Sequence, residues 1–243
     1  MNSKAICLIT FSPNELNLDF LSTFINYDIY VIIDDNLNTY SELKTRYNNK
    51  INFIQIENIN CANSGFKNTS SITLKKSVAG WDKALFYFAC NHAYNYDYVW
   101  FMEDDVYFYN ENTLIDIDNK YDKTDLLCNS SFKEAKLNEW LWYRININFP
   151  TPYYCGMVCI CRFSRNMLES IKDYTIQNKT LFFLEALFPT IAVKYNLTYI
   201  SNPIEFITVT HRENFSLNYE LLNKTNLYHP VKDVTDHIKI REQ

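Results

Sequence analysis

Glycine is almost missing from this chain: three residues, Gly65, Gly80 and Gly156, are scattered through 243 positions. Neither a P-loop nor a Gly-x-Gly-x-x-Gly fingerprint can be built from them, so the charge of any bound nucleotide falls to a metal ion and side-chain donors. The glycine-rich basic loop of sugar nucleotidyltransferases is also absent, because the first expected strand runs into Phe11-Ser12-Pro13-Asn14. There is no run of Lys or Arg and the formal net charge is −5, which argues against a nucleic-acid partner. No stretch approaches the ~20 apolar residues of a membrane span, and no basic segment followed by an apolar run opens the chain. A cytoplasmic location is therefore expected. Paired Cys-x-x-Cys motifs are lacking too, and the seven cysteines read as reduced, buried thiols. Cys155, Cys159 and Cys161 alternate along one expected strand, where a zinc site is the weaker reading because no paired motif follows.

What is present describes a globule that can bury a sizeable core, with 47% hydrophobic and 21% charged residues. Aromatics reach 16%, enough to suggest ring surface beyond the core. The most informative stretch is Tyr98-Val99-Trp100-Phe101-Met102-Glu103-Asp104-Asp105-Val106-Tyr107-Phe108, which sets three acids inside an apolar run. Uncompensated charges inside a buried strand cost several kcal/mol each, so the strand is expected to end here with its acids on the carboxyl-end lip, around a divalent cation. Alternation sends Glu103 and Asp105 to one face, where they can share a metal, and Asp104 to the other.

Residues 4–11, 28–35, with acids at its carboxyl end, and 51–56 read as strands and 16–25 and 41–47 as helices, giving a parallel β-α-β-α-β opening. Asp34 and Asp35 end the second strand, where open α/β sheets bind ligands; a base or ribose contact competes there with a solvated turn. Residues 58–73 read as a loop, and Thr73 to Tyr96 as one long amphipathic helix carrying Lys75, Lys76 and Lys83. A lysine on it can reach a diphosphate, against the commoner outcome of solvation. Glu139-Trp140-Leu141-Trp142-Tyr143-Arg144 offers a platform for a sugar ring, with core packing as the competing reading.

Tyr153 to Ser164 reads as one strand in which Gly156 permits close approach of a ligand, followed by a helix capped by Ser164. Glu185 is a single acid in the apolar stretch Leu181 to Thr190. Burial would raise its pKa toward that of a general base, and a structural Glu accepting backbone N–H bonds competes. Phe206 to Arg212 reads as the last strand, ending on His211 in a position suited to a metal or diphosphate, and the polar tail with His229 and His237 is expected to pack loosely.

Taken in order, the β-α-β-α-β half, Asp34-Asp35, the Glu103-Asp104-Asp105-Val106 motif, Gly156, Glu185 and His211 resemble a GT-A fold glycosyltransferase. The resemblance implies an α/β three-layer α/β/α sandwich with a mostly parallel, Rossmann-like central sheet. It implies a single domain over 1–243, with a nucleotide-sugar half at about 1–109 and an acceptor and catalytic half at about 110–243. Glu103, Asp105 and His211 would hold Mn²⁺ or Mg²⁺, Asp34, Asp35, Lys83, Asp104 and Gly156 would contact the donor, and Glu185 would be the base. The implied partners are a nucleotide sugar, UDP-linked by preference, and a glycan or glycoprotein acceptor. The motif departs from the family where a single Glu185 precedes Ala186 instead of an acid pair. A metal-dependent phosphoester hydrolase and an inactive GT-A domain that binds carbohydrate are the rival readings.

Overall fold

The structure, a computed structural model, describes residues 3–72, 77–90, 96–128, 133–134, 145, 149–208 and 222–242. Strands β1 (Lys4–Thr10), β2 (Asp28–Ile33), β3 (Ile51–Gln55) and β4 (Tyr98–Glu103) form half of a seven-stranded sheet. Its other half is β6 (Leu126–Cys128), β9 (Ile160–Ser164) and β10 (Tyr199–Ser201), and the order is β3-β2-β1-β4-β9-β6-β10. Neighbours are parallel except where β9 lies antiparallel between β4 and β6.

The inner strands β1, β2 and β4 are apolar on both sides because both faces are covered, as parallel sheets require, while the edge strands β3 and β10 are part-exposed. Ala5, Cys7 and Ile9 of β1 share one core with α4 (Gly80–Cys90), α6 (Arg165–Asn178) and α7 (Leu184–Lys194). Ile6 and Leu8 turn the other way, toward α1 (Glu15–Leu21) and α5 (Glu111–Lys120). The result is the expected three-layer α/β/α sandwich. The expected cap of Ser164 forms, accepting from Met167 N–H at the start of α6, and Asn14 likewise accepts from Leu16 N–H at the start of α1.

Several local expectations are corrected. The segment 58–73 contains α3 (Asn58–Asn63), and α4 starts at Gly80 instead of Thr73. Buried Asp82 explains that start: its carboxylate accepts from the N–H groups of Ala79 and Thr69, which caps the helix and pins the preceding loop to it. Gly80 then lets the first turn lie directly on β1, since a Cβ there would stand 2.7 Å from the Ile9 side chain. Residues 73–76 and 91–95, with Lys75 and Lys76, lie outside the described residues.

The expected strand over 153–164 is two pieces, β8 (Tyr154–Cys155), paired with β7 (Lys133–Glu134), and β9. Gly156 lies between them, its N–H donating to the Glu185 carbonyl at 2.9 Å. The expected last strand is β11 (Phe206–Thr208), and it is not the last: β12 (Leu227–His229) lies parallel to it and antiparallel to β5 (Tyr107–Phe108). The tail is packed, not loose. His229 and His237 are buried, and in α8 (Val234–Arg241) the Arg241 guanidinium sits 3.4 Å from the centre of the Phe20 ring and donates to the Phe108 carbonyl. No helix among the described residues is long and apolar enough to cross a membrane.

Candidate active site

The carboxyl ends of β1, β2 and β4 open into one cleft at the point where the chain, having laid β2 and β3 on one side of β1, places β4 on the other. Ligands bind at such switch points because diverging loops leave a crevice there. The cleft, about 260 Å³, is lined by Thr10, Phe11, Asp34, Gly80, Trp81 and the three acids Glu103, Asp104 and Asp105.

Glu103 is the last residue of β4, on the α4 side. The Trp81 indole N–H donates to its Oε1 at 2.8 Å, and its own N–H donates to the Cys159 carbonyl at 3.2 Å. Burial holds its pKa above the usual carboxylate range; the Trp81 bond opposes the shift and the Asp105 charge adds to it. The chain turns immediately afterwards. Asp104 faces away, its Oδ2 accepting from the Thr10 hydroxyl at 2.5 Å and its carbonyl from the Asn17 amide at 3.3 Å. Burial, opposed by that hydroxyl, raises its pKa as well.

Asp105 meets a residue that the sequence did not single out as a ligand. The register of β12 against β5 pairs Tyr228 with Tyr107, so the next step carries His229 to the acidic turn. The Val231 N–H fastens that approach by donating to the Asp105 carbonyl at 2.7 Å. His229 Nε2 then lies 3.3 Å from Asp105 Oδ1. Yet Oδ1 of Asp105 and Nδ1 of His229 are buried and, among the described residues, have no hydrogen-bond partner. Ligand atoms of Glu103, Cys159 and His229 fall within 4.8 Å of one another. Buried polar atoms are nearly always paired, and carboxylate and imidazole are the donors of divalent-ion sites, so this set fits a cation. His211, the expected ligand, and the aromatic stretch 139–144 lie outside the described residues.

Asp34 reaches the cleft, its side chain 28% exposed. Lys83 is completely buried behind it, Nζ pairing with Asp34 Oδ1 at 2.7 Å and donating to the Asp34 carbonyl and to Asn36 Oδ1 at 3.1 Å. Asp35 turns into its own loop. Donors from the Asn38 side chain, the Leu37 N–H and the Tyr40 hydroxyl pull its pKa down to about 2. Glu185 stands half-buried on the first turn of α7. Burial first, and the Glu103 charge second, push its pKa up to about 7.

Sequence reasoning missed His229, Trp81 and Thr10, and weighed Cys159 only with Cys155 and Cys161 as the weaker, zinc-site reading of that stretch. The short apolar run Leu227-Tyr228-His229 ahead of Pro230 was a usable signal for a buried histidine. Nothing in sequence spacing marks Trp81 or Thr10.

No protein-family model and no curated protein matches this sequence. Solved structures do match the fold. Galactosyltransferase LgtC in complex with donor and acceptor sugar analogs superposes with a TM-score of 0.52 at 9% identity, covering 98% of this chain and 95% of that one. An active-site mutant of LgtC gives 0.53 at 8% identity, with 98% and 95% covered. Mouse xyloside xylosyltransferase 1 in its apo form gives 0.50 at 9% identity, with 93% and 97% covered. At such identities the likeness shows the GT-A fold alone.

Proposed function

We propose that this chain is a metal-dependent glycosyltransferase that moves a hexose from a nucleotide sugar, first of all a UDP-sugar, to a hydroxyl of a glycan or protein acceptor. The observation that carries the reading is the gathering of Glu103, Asp105 and His229 at the carboxyl end of β4, where His229 Nδ1 is buried without a hydrogen-bond partner among the described residues and Asp105 Oδ1 has the His229 ring 3.3 Å away. Glu103 and Asp105, the outer acids of a Glu-Asp-Asp form of the DxD motif, hold Mn²⁺ or Mg²⁺, and His229 takes the part first given to His211. The ion, when bound, neutralises the charge that builds on the leaving diphosphate. With three glycines in the chain, no loop of backbone amides competes for that role.

The other residues bind, orient and move a proton. Lys83 fixes the Asp34 carboxylate toward the cleft, where it accepts from the nucleoside. Asp104, held by Thr10, sits at the ribose side, and Phe11, 68% exposed on the rim, offers a ring face. Asp35 shapes the loop that carries Asp34. Glu185, whose pKa is set near neutrality, takes the proton of the acceptor hydroxyl as it attacks. Gly156, joined to the Glu185 carbonyl, leaves room for the sugar beside that helix start. The fold then works as two halves, about 1–109 for the donor and about 110–243 for the acceptor.

Calorimetry with UDP-, GDP- and CMP-sugars, with and without Mn²⁺, followed by transfer assays on glycan acceptors, tests this. Metal-dependent donor binding that Asp105→Ala and His229→Ala both abolish is the expected result. Nucleotide-sugar binding without turnover on any acceptor would leave a carbohydrate-binding module. Cleavage of simple phosphodiesters without sugar transfer would leave a hydrolase.

A further inference from the structure

The acidic site has a neighbour that oxygen-preferring ions do not need. Cys159 lies just ahead of β9, at the end of the strand running against β4, and its carbonyl accepts the Glu103 N–H at 3.2 Å. That backbone bond fixes where its side chain goes. Its sulfur falls within 4.8 Å of a Glu103 carboxylate oxygen and a His229 ring nitrogen. The other strand cysteines of the sheet, Cys7, Cys128 and Cys161, are fully buried in the apolar core, with 0% exposure against 9% for Cys159. Cys159 alone of these four is grouped with the site's carboxylate and imidazole.

Sulfur, nitrogen and carboxylate oxygen gathered around one point are the donor set of Zn²⁺ and Co²⁺, whereas Mg²⁺ and Mn²⁺ favour oxygen with at most an imidazole. Independently of the cysteine, the His229 side chain is only 3% exposed and its Nδ1 has no hydrogen-bond partner among the described residues. We infer that Cys159 is an inner ligand of the metal centre, and that with Glu103 and His229 it gives the site a preference for zinc-class ions over Mn²⁺ and Mg²⁺. This rests on the reading that Glu103 and His229 hold a divalent ion. As the metal–sulfur bond forms, the thiol proton passes to the buffer.

The test is an anaerobic titration of the full chain with Co²⁺, reading the near-ultraviolet sulfur-to-cobalt charge-transfer band, with Zn²⁺ and Mn²⁺ as competitors. Wild type and a Cys90→Ser control should develop the band at one equivalent. Cys159→Ser and Cys159→Ala should lack it and bind Co²⁺ and Zn²⁺ more than about tenfold more weakly, the loss that even an outer partner of a metal causes. Both variants should keep Mn²⁺ binding, which also shows that they are folded. Co²⁺ bound by wild type without the band, or a band that survives in both Cys159 variants, would overturn the inference and leave the oxygen-and-imidazole site standing. Failure of the wild type to bind Co²⁺, Zn²⁺ and Mn²⁺ alike would overturn the metal centre as well.

Discussion

Two clusters of buried acids flank the same strand, β4, and they are balanced in opposite ways. On its α5 face Asp118 is 3% exposed and fully engaged: it accepts from the Tyr27 hydroxyl at 2.6 Å and the Trp100 indole at 3.1 Å, and pairs with Lys4 at 3.0 Å and Arg162 at 2.7 Å. Arg162, 0% exposed, also donates to the carbonyls of Tyr121 and Thr124. At its carboxyl end Glu103, Asp104 and Asp105 crowd together with no Lys or Arg paired to them among the described residues, and two polar atoms go unmatched. In the first cluster the Asp118 carboxylate is matched by protein donors without any ligand and reads as framework, although Arg162 Nε has no hydrogen-bond partner among the described residues. The second has acids with no Lys or Arg partner among the described residues, the contrast expected between a candidate binding site and a structural network when both are buried and charged.

The sharpest way to break the comparison is to change the proton-accepting side of the second cluster. Glu185→Gln should lower sugar transfer by about two to four orders of magnitude, the usual range for a lost general base, while leaving donor binding intact by calorimetry. In the wild type, transfer should rise as pH increases through about 7, where the Glu185 carboxyl loses its proton. The same shift sets the stability. A carboxyl whose folded pKa stands at about 7 rather than 4.5 contributes stability fully present below about 4.5, which is lost as pH rises through about 7. Asp82, raised to about 6 by burial, acts in the same direction. The metal-free protein should therefore melt higher at pH 5 than at pH 8, with a smaller difference in Glu185→Gln. An identical pH profile in the variant would remove Glu185 from this account.

Arg162→Met attacks the complete cluster and should cost about 3–5 kcal/mol in urea unfolding, because Asp118 is left as a buried charge with one partner fewer. Asp105→Asn attacks the incomplete one and should do the opposite to the metal-free chain, raising stability by about 0.5–2 kcal/mol, the usual gain when a site's strain is relieved. It should also abolish the stabilisation by Mn²⁺. If both substitutions destabilised alike, the contrast between the two clusters would be wrong. The smallest effect is expected from Trp81→Phe. It keeps the ring packing against Phe101 and Phe188 and removes one N–H from Glu103, a change of about 1 kcal/mol with weaker metal binding.

Much of the fold was legible from period and punctuation. β1, β2 and β4 are nearly continuous apolar runs that end at Ser12-Pro13 or at acids, and those ends are what the cleft is made from, while β3 was legible from its alternation. The departures fall where one local pattern served two purposes. Apolar periodicity runs through residues 73 to 79, but Asp82 takes the Ala79 N–H and stops the helix at Gly80. Tyr153 to Ser164 alternates throughout, yet Gly156 divides it between two sheets.

In the site, Glu103 and Asp105 were legible because acids inside an apolar strand have no cheap structural explanation. Lys83 was not. Its spacing on an amphipathic helix is that of a solvated residue, and only burial against Asp34 gives it a different part.

The sequence by itself determined a parallel α/β sheet with acids at the strand ends, since burial on both faces and the cost of burying charge act residue by residue along the chain. Only the tertiary structure decided which histidine and which cysteine stand beside those acids. His229 reaches Asp105 across 124 positions, the difference between their numbers, through the pairing of β12 with β5. Cys159 reaches Glu103 through the antiparallel placement of β9. Pairing register acts between distant segments and leaves no period or spacing in either one, so a short strand near the carboxyl end completed the site unannounced.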